Sequence, residues 1–331
     1  MTVTAPDFLG RYAKLYRLTV LFLAVLFMSL SASAQQAQPT PPDEEDPTQP
    51  IKVKTDLVTL TLTVTDLYGR YVSGLTKNAF SIFDNNQEQE ITFFSDSDAP
   101  VSVGILFDVS GSMSGEKIAK AQSALRRFIN SSHPNDEYFL IAFSNRAQLL
   151  LDRTRDGEAL LQKLTLVSTK GNTALYDAVY LGLERVTRGA HQKRALLIIS
   201  DGQDNASRYN FGEVRRLMKE SDVVTYSVGI VGGGDSSSAL GMQGQAFLDE
   251  LSSVTGGKSF YPSSDIEMDE IFERIALELR HQYSIGYTPT DFRLDGKWRK
   301  VKTKVKPPRG LPRLTVRGRE GYFATPQSNY R

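Results

Sequence analysis

Between residues 101 and 280 the hydrophobic pattern alternates between two periods, and this alternation restricts the fold more than any other feature. Residues 101–107, 137–143, 195–199 and 223–230 are short runs dominated by apolar side chains, the pattern of strands buried on both faces. Between them the spacing turns helical. Ile118, Ala121, Leu125 and Phe128 follow one helix face, and residues 160–164, 175–186, 214–218 and 247–254 read as further helices. Met268, Ile271, Phe272, Ile275 and Leu279 form the apolar stripe of a last one. Residues 147–151 return beside 137–143 as an edge hairpin, and 258–261 form a short strand. Strands alternating with helices predict an α/β fold: a doubly wound, mostly parallel sheet covered on both faces.

On either side of this block the period is two. Val58, Leu60, Leu62 and Val64 alternate with Thr59, Thr61 and Thr63, the signature of a half-buried strand, and after the turn Asp66-Leu67-Tyr68-Gly69 the strand pattern resumes at Tyr71-Val72. Residues 79–83 and 90–94 read as two more strands around the turn Asp84-Asn85-Asn86, and residues 283–287, 298–305 and 314–317 are also β-like. Neither flank is long enough to close a core alone. They are therefore expected to pair into one small β-sandwich, residues 51–98 and 283–325, with the α/β domain, 99–282, inserted between them and a tail at 326–331.

The first 50 residues belong to neither part. Arg11, Lys14 and Arg17 precede an apolar run over residues 18–30, and Ala32 and Ala34 supply the small residues of an A-x-A site. These are the parts of a secretory signal peptide, 1–34, cleaved after Ala34. The run is short for a membrane span, so no stable span is expected after cleavage. Residues 35–50, rich in proline, glutamine and acid, read as a disordered linker. The expected location is periplasmic or secreted.

Composition removes several chemistries. The chain has no cysteine, which excludes disulfides, thiolate metal sites, cysteine nucleophiles and an acylated lipoprotein cysteine. Its 3 histidines are scattered at His133, His191 and His281, which argues against histidine metal sites and most general-base catalysis. A net charge of +1 gives no global attraction to nucleic acid. A metal here would be a hard cation held by oxygen.

Oxygen ligands converge in three segments. The first buried strand runs into Asp108-Val109-Ser110-Gly111-Ser112-Met113. Gly171-Asn172-Thr173 enters a helix, and a second strand ends in Ser200-Asp201-Gly202. In an open α/β sheet ligands bind beyond the carboxyl ends of the strands. Asp108, Ser110, Ser112, Thr173 and Asp201 would give two carboxylates and three hydroxyls, a shell suited to Mg²⁺, Mn²⁺ or Ca²⁺. Asp177, Asp204 and Asn205 are candidates for supporting these ligands from behind, Asp177 by orienting the Thr173 loop one helical turn before it. Each of these residues also has an ordinary explanation as a helix cap or turn. The SxxK pattern from Ser114 to Lys117 lacks the companion elements of a serine acyl-transferase.

In order, DVSGSM, GNTALYDA and SDGQDN resemble the von Willebrand factor A domain with a complete metal-ion-dependent adhesion site. The resemblance covers about residues 100–280, and the wider layout is similar to the exported von Willebrand A-related proteins of acidobacteria. It implies a Rossmann-like domain in which Ser110, Ser112 and Thr173 ligate the metal. Asp108 and Asp201 would hold it directly or through water. It also implies a protein partner that offers a carboxylate to the open position, and binding rather than catalysis. Two rivals stay open: an envelope assembly protein with a stabilising metal, and a metal-assisted hydrolase, which would need a base beside the ion. The Gly/Ser-rich stretch at 231–238 is expected on the metal face as a partner-contacting lip or a plain connection.

Overall fold

Residues 57–230, 238–291, 293–310 and 312–324 are described by the computed structural model of the chain. The expected signal peptide, the linker and the stretch 231–237 lie outside the described residues. Among those described, no helix is long and apolar enough to cross a membrane.

Six strands form the central sheet, in the order β10-β9-β8-β5-β6-β7. They are β5 (Val101–Asp108), β6 (Glu137–Phe143), β7 (Ala147–Thr154), β8 (Lys193–Ser200), β9 (Val224–Gly229) and β10 (Lys258–Phe260). All pair in parallel except β7, which returns antiparallel beside β6. Every residue of β5, β6 and β9 is buried; β6 carries apolar side chains on both faces, whereas β9 turns Val224, Tyr226 and Val228 to one face and Thr225 and Ser227 to the other.

The two faces take alternate residues, as the period of a strand dictates. Val103, Ile105 and Phe107 pack with α1 (Glu116–Ser131), α2 (Gly157–Thr165) and α6 (Asp265–Arg280) through Leu125, Phe128, Leu164 and Phe272. Leu106, Leu196 and Ile198 pack on the other side with α3 (Leu175–Val186), α4 (Phe211–Glu220) and α5 (Ala239–Val254) through Val179, Val214 and Leu248. Each such side chain, fully buried, contributes about 1.5–3 kcal/mol. This is the doubly wound α/β architecture read from the pattern. From β5 the chain steps outward to β6, whereas from β8 it steps the opposite way to β9. The adjacent carboxyl ends of β5 and β8 therefore form the switch point where such sheets bind ligands.

Eight further strands form two four-stranded sheets, ordered β13-β1-β11-β4 and β14-β12-β2-β3. Each sheet mixes the two flanks of the chain. In the first, β1 (Val58–Thr65) lies between β11 (Tyr283–Tyr287) and β13 (Thr315–Arg317), with Leu60 opposite Ile285. In the second, β2 (Phe80–Asp84) pairs with β12 (Trp298–Val305), which also holds β14 (Gly321–Phe323). Leu60, Leu62, Ile82, Tyr283 and Ile285 fill the space between the sheets.

Three readings of the pattern are corrected. The partner of β2 across the Asn85-Asn86 turn is β3 (Gln87–Gln89), and β4 (Ile91–Ser95) crosses to the other sheet. Asn85 and Asn86 both hold positive φ, 45° and 68°, which closes a two-residue hairpin and fixes this partner. Tyr71 makes only a single bridge to Thr65, not a strand. Helix α5 begins at Ala239, earlier than residue 247, and takes in Gly241 and Gly244.

The sandwich meets the α/β block through a buried carboxylate. Glu278 of α6 accepts hydrogen bonds from Thr63 Oγ1 (2.9 Å), Tyr71 OH (3.0 Å) and Tyr226 OH (2.8 Å), and pairs with Arg317. Nearby, Lys193 Nζ donates to the carbonyls of Ser97 (3.0 Å) and Gln282 (3.2 Å), where the chain enters and leaves the block.

Candidate metal centre

Strand β5 delivers Asp108, fully buried, to the switch point. Both of its carboxylate oxygens are tethered. Oδ1 accepts from the Ser110 amide (2.8 Å), and Oδ2 accepts from the Ser200 hydroxyl at the end of β8 (2.6 Å). Burial pushes the Asp108 carboxyl up to about 6; the bonds from Ser110 and Ser200 oppose that rise, and the charge of Asp201 adds to it. One turn of chain further, the hydroxyls of Ser110 and Ser112 stand 3.0 Å apart. Ser110 is buried while Ser112 reaches the surface, so the cluster opens at that point.

Thr173 sits just before α3 on a loop bound to its neighbours. The Gly111 amide donates to the Gly171 carbonyl (3.0 Å) and the Lys170 amide to the Val109 carbonyl (3.0 Å), stitching this loop to the turn after β5. The Asn172 amide donates to Asn145 Oδ1 (2.7 Å), and the Ala174 amide to the Ser144 carbonyl (2.7 Å). Gly171, at φ 85°, packs against the Asn145 side chain where a Cβ would collide. Asn205 completes the hold: its Oδ1 accepts from the Thr173 amide (2.8 Å), and its own amide donates to the Thr173 carbonyl (3.0 Å).

Asp201 is buried just beyond β8, with Oδ1 accepting from the Gln203 amide (3.2 Å). The turn after it needs glycine twice. Gly202 has φ 84°, and a Cβ on it would strike the backbone of Gly244 in α5. A Cβ on Gly244 would in turn come within 2.8 Å of the Asp201 carbonyl. Gly244, one of the glycines that obscured the start of α5 in the sequence, lets that helix pack against the Asp201 turn.

Asp108, Ser110 and Ser112 are thus joined by direct bonds. Asp201 lies within electrostatic reach of Asp108, and Thr173 is placed through Gly171 and Asn205. Among the described residues the Thr173 hydroxyl and Asp201 Oδ2 take no hydrogen bond. Two buried carboxylates, two converging hydroxyls and a third free hydroxyl form a donor set that fits a hard divalent cation. Among the described residues no group of three or more His, Cys, Asp or Glu side chains is placed to hold a metal ion.

Ser200 was not assigned a role from the sequence, and only its position before Asp201 in the same motif hints at one. Ser144 and Asn145, which hold the Thr173 loop, carry no local signal at all. Asp177 acts on a different loop from the one expected: it accepts from the Arg208 and Tyr209 amides (2.9 and 3.2 Å) and from Arg208 Nε (3.1 Å). Asp204 Oδ2 accepts from the Tyr176 amide at the start of α3 (3.0 Å). Beside the cluster lies a cleft of about 490 Å³, walled by Asn145, Arg146, Asp177, Arg208 and the stacked rings of Tyr180 and Tyr209.

Residues 103–203, from β5 to the Asp201 turn, match the model of the von Willebrand factor type A domain. This segment is similar to the von Willebrand factor type A domain. The match therefore holds the DxSxS turn, Thr173 and Asp201 together. Inter-alpha-trypsin inhibitor heavy chain H4 of Bos taurus is 23% identical to this chain over 205 residues, covering 57% of this chain and 22% of its own length. The chain spans only about a quarter of the length of such curated relatives. A solved von Willebrand factor type A protein from Catenulispora acidiphila is similar at a TM-score of 0.46 and 13% identity, over 76% of this chain and 75% of its own. Proximal thread matrix protein 1 from the mussel byssus, solved with a zinc-occupied MIDAS motif, is similar at a TM-score of 0.46 and 18% identity, over 59% of this chain and 49% of its own.

Proposed function

We propose that the A domain binds one divalent cation, Mg²⁺ or Mn²⁺ with Ca²⁺ as the alternative, through Asp108, Ser110, Ser112, Thr173 and Asp201. The protein then acts as an exported adhesion-like module. The bound ion supplies a positive charge with an open coordination position, which a carboxylate on a protein partner can take. The chain's own residues do the rest. Ser200 and the Ser110 amide orient Asp108, Asn205 holds Thr173, and the Gly202–Gly244 contact fixes the Asp201 turn. The observation that carries this reading is the two-sided tether of Asp108 beside paired serine hydroxyls at the sheet's switch point.

Binding is favoured over catalysis by what surrounds the cluster. Its contacts are hydroxyls, amides and carboxylates, and the imidazole of His191 lies at the far end of the sheet, against the Asn135 carbonyl (3.0 Å). The proposed organisation keeps the signal peptide at 1–34, the A domain at 99–282 and the flanking sandwich at 51–98 and 283–325, with the partner approaching over the metal face.

A crosslinking pull-down from envelope extract, with and without chelator, tests the reading against a purely structural role. A partner captured by wild type, and lost on chelation and in Asp108→Ala, is expected. Capture indifferent to both would overturn metal-dependent binding and favour the envelope-assembly reading.

A further inference from the structure

We infer that a second cleft, at the joint between the sandwich and the opposite end of the central sheet, binds a free tetrahedral oxyanion of the phosphate or sulfate class. The cleft has a volume of about 250 Å³ and is lined by Arg194, Arg319, Thr59 and Asp222, with Leu60 and Phe93 among its apolar walls. Arg194 is the second residue of β8, so this site lies at the strand end remote from Ser200 and Asp201. It does not depend on the metal reading.

Both arginines present unspent donors. The Nε atoms of Arg194 and Arg319 are buried without a hydrogen-bond partner. Arg319 is held rigidly: its side chain is 10% exposed, it pairs with Asp222, and its Nη2 donates to the Thr59 carbonyl (2.7 Å). Arg194 makes no ion pair among the described residues. The cleft therefore holds two guanidinium charges against the one carboxylate of Asp222. An unpaired buried donor is costly, and an unbalanced buried charge more so. A single anion with several oxygens would balance that charge, because the guanidinium N–H groups that line the cleft match oxyanion geometry. The volume admits a small ion with water, and the position between two packed layers suits a free ion. The ion would bridge Arg194 of the α/β block to Arg319 of the C-terminal flank.

The test is calorimetric titration of inorganic phosphate, and separately of sulfate, into the full exported chain with chelator present. Wild type, Arg194→Met and Arg194→Lys are compared after circular dichroism has shown each to be folded. Saturable one-site binding of at least one of the two ions is expected, weakened about tenfold or more in Arg194→Met. Arg194→Lys, which keeps the charge and loses the fork, should fall between the two. Thermal melting adds a second readout. Both ions stabilise proteins generally by exclusion from the surface, so the expected result is an extra, saturable rise in wild type over Arg194→Met. No saturable heat with either ion, or equal affinity and equal melting shifts in wild type and Arg194→Met, would overturn the site.

Discussion

The Ser200 hydroxyl donates a 2.6 Å hydrogen bond to Oδ2 of Asp108, both groups fully buried. The bond ties the ends of two neighbouring strands and fixes which way the Asp108 carboxylate faces. Support of this kind behind a metal ligand is commonly worth about 10–100-fold in affinity. Ser200→Ala is therefore expected to weaken Mn²⁺ binding by about tenfold or more while leaving secondary structure intact. Equal affinity in calorimetry would show that Asp108 needs no such tether.

Gly202 tests the turn that carries Asp201. An alanine there faces a positive φ of 84° and a collision with the Gly244 backbone. A side chain forced into such a backbone conformation costs about 1–3 kcal/mol, and here helix α5 must also shift. Gly202→Ala should lower the urea midpoint by a corresponding amount and weaken metal binding in the same protein. A variant with wild-type stability would mean that the turn relaxes freely.

Glu278 joins the two layers of the fold. Removing a buried charge's partner costs about 3–5 kcal/mol. In Glu278→Ala the Arg317 guanidinium and the hydroxyls of Thr63, Tyr71 and Tyr226 would all lose their acceptor. Equilibrium urea unfolding should show a loss in that range with the slope unchanged. A loss under about 1 kcal/mol would mean that water replaces the network.

The flanks should depend on each other. Deleting residues 283–331 removes the strands on both sides of β1 and uncovers Leu60, Leu62 and Val64. Such open apolar edges associate. The truncated chain is expected to aggregate, whereas residues 98–282, which keep both α/β core clusters, should stay soluble. Size-exclusion chromatography showing a monomeric truncation with unchanged melting would contradict this.

The α/β layers were legible because β5, β6, β8 and β9 are short runs dominated by apolar side chains and their helices carry clear stripes. The sandwich was legible only in outline: β3, β13 and β14 have three residues each, too few to show a period. The start of α5 was hidden by Gly241 and Gly244, poor helix formers, of which Gly244 sits where the helix approaches the Asp201 turn. At the candidate centre the motif supplied the five proposed ligands. The supports from Ser144, Asn145 and Ser200 arise from neighbouring loops and strands, and no local spacing encodes them.

The most direct test is a calorimetric titration of Mn²⁺ into wild type, Ser112→Ala and Thr173→Ala, with melting temperatures measured with and without chelator. One saturable site in wild type is expected, weakened about tenfold or more in each variant. All three apo proteins should melt within about 2 °C of one another, because the apolar core and not the ion holds the fold. Wild type without saturable binding, or variants that bind equally well, would contradict the five-residue metal centre.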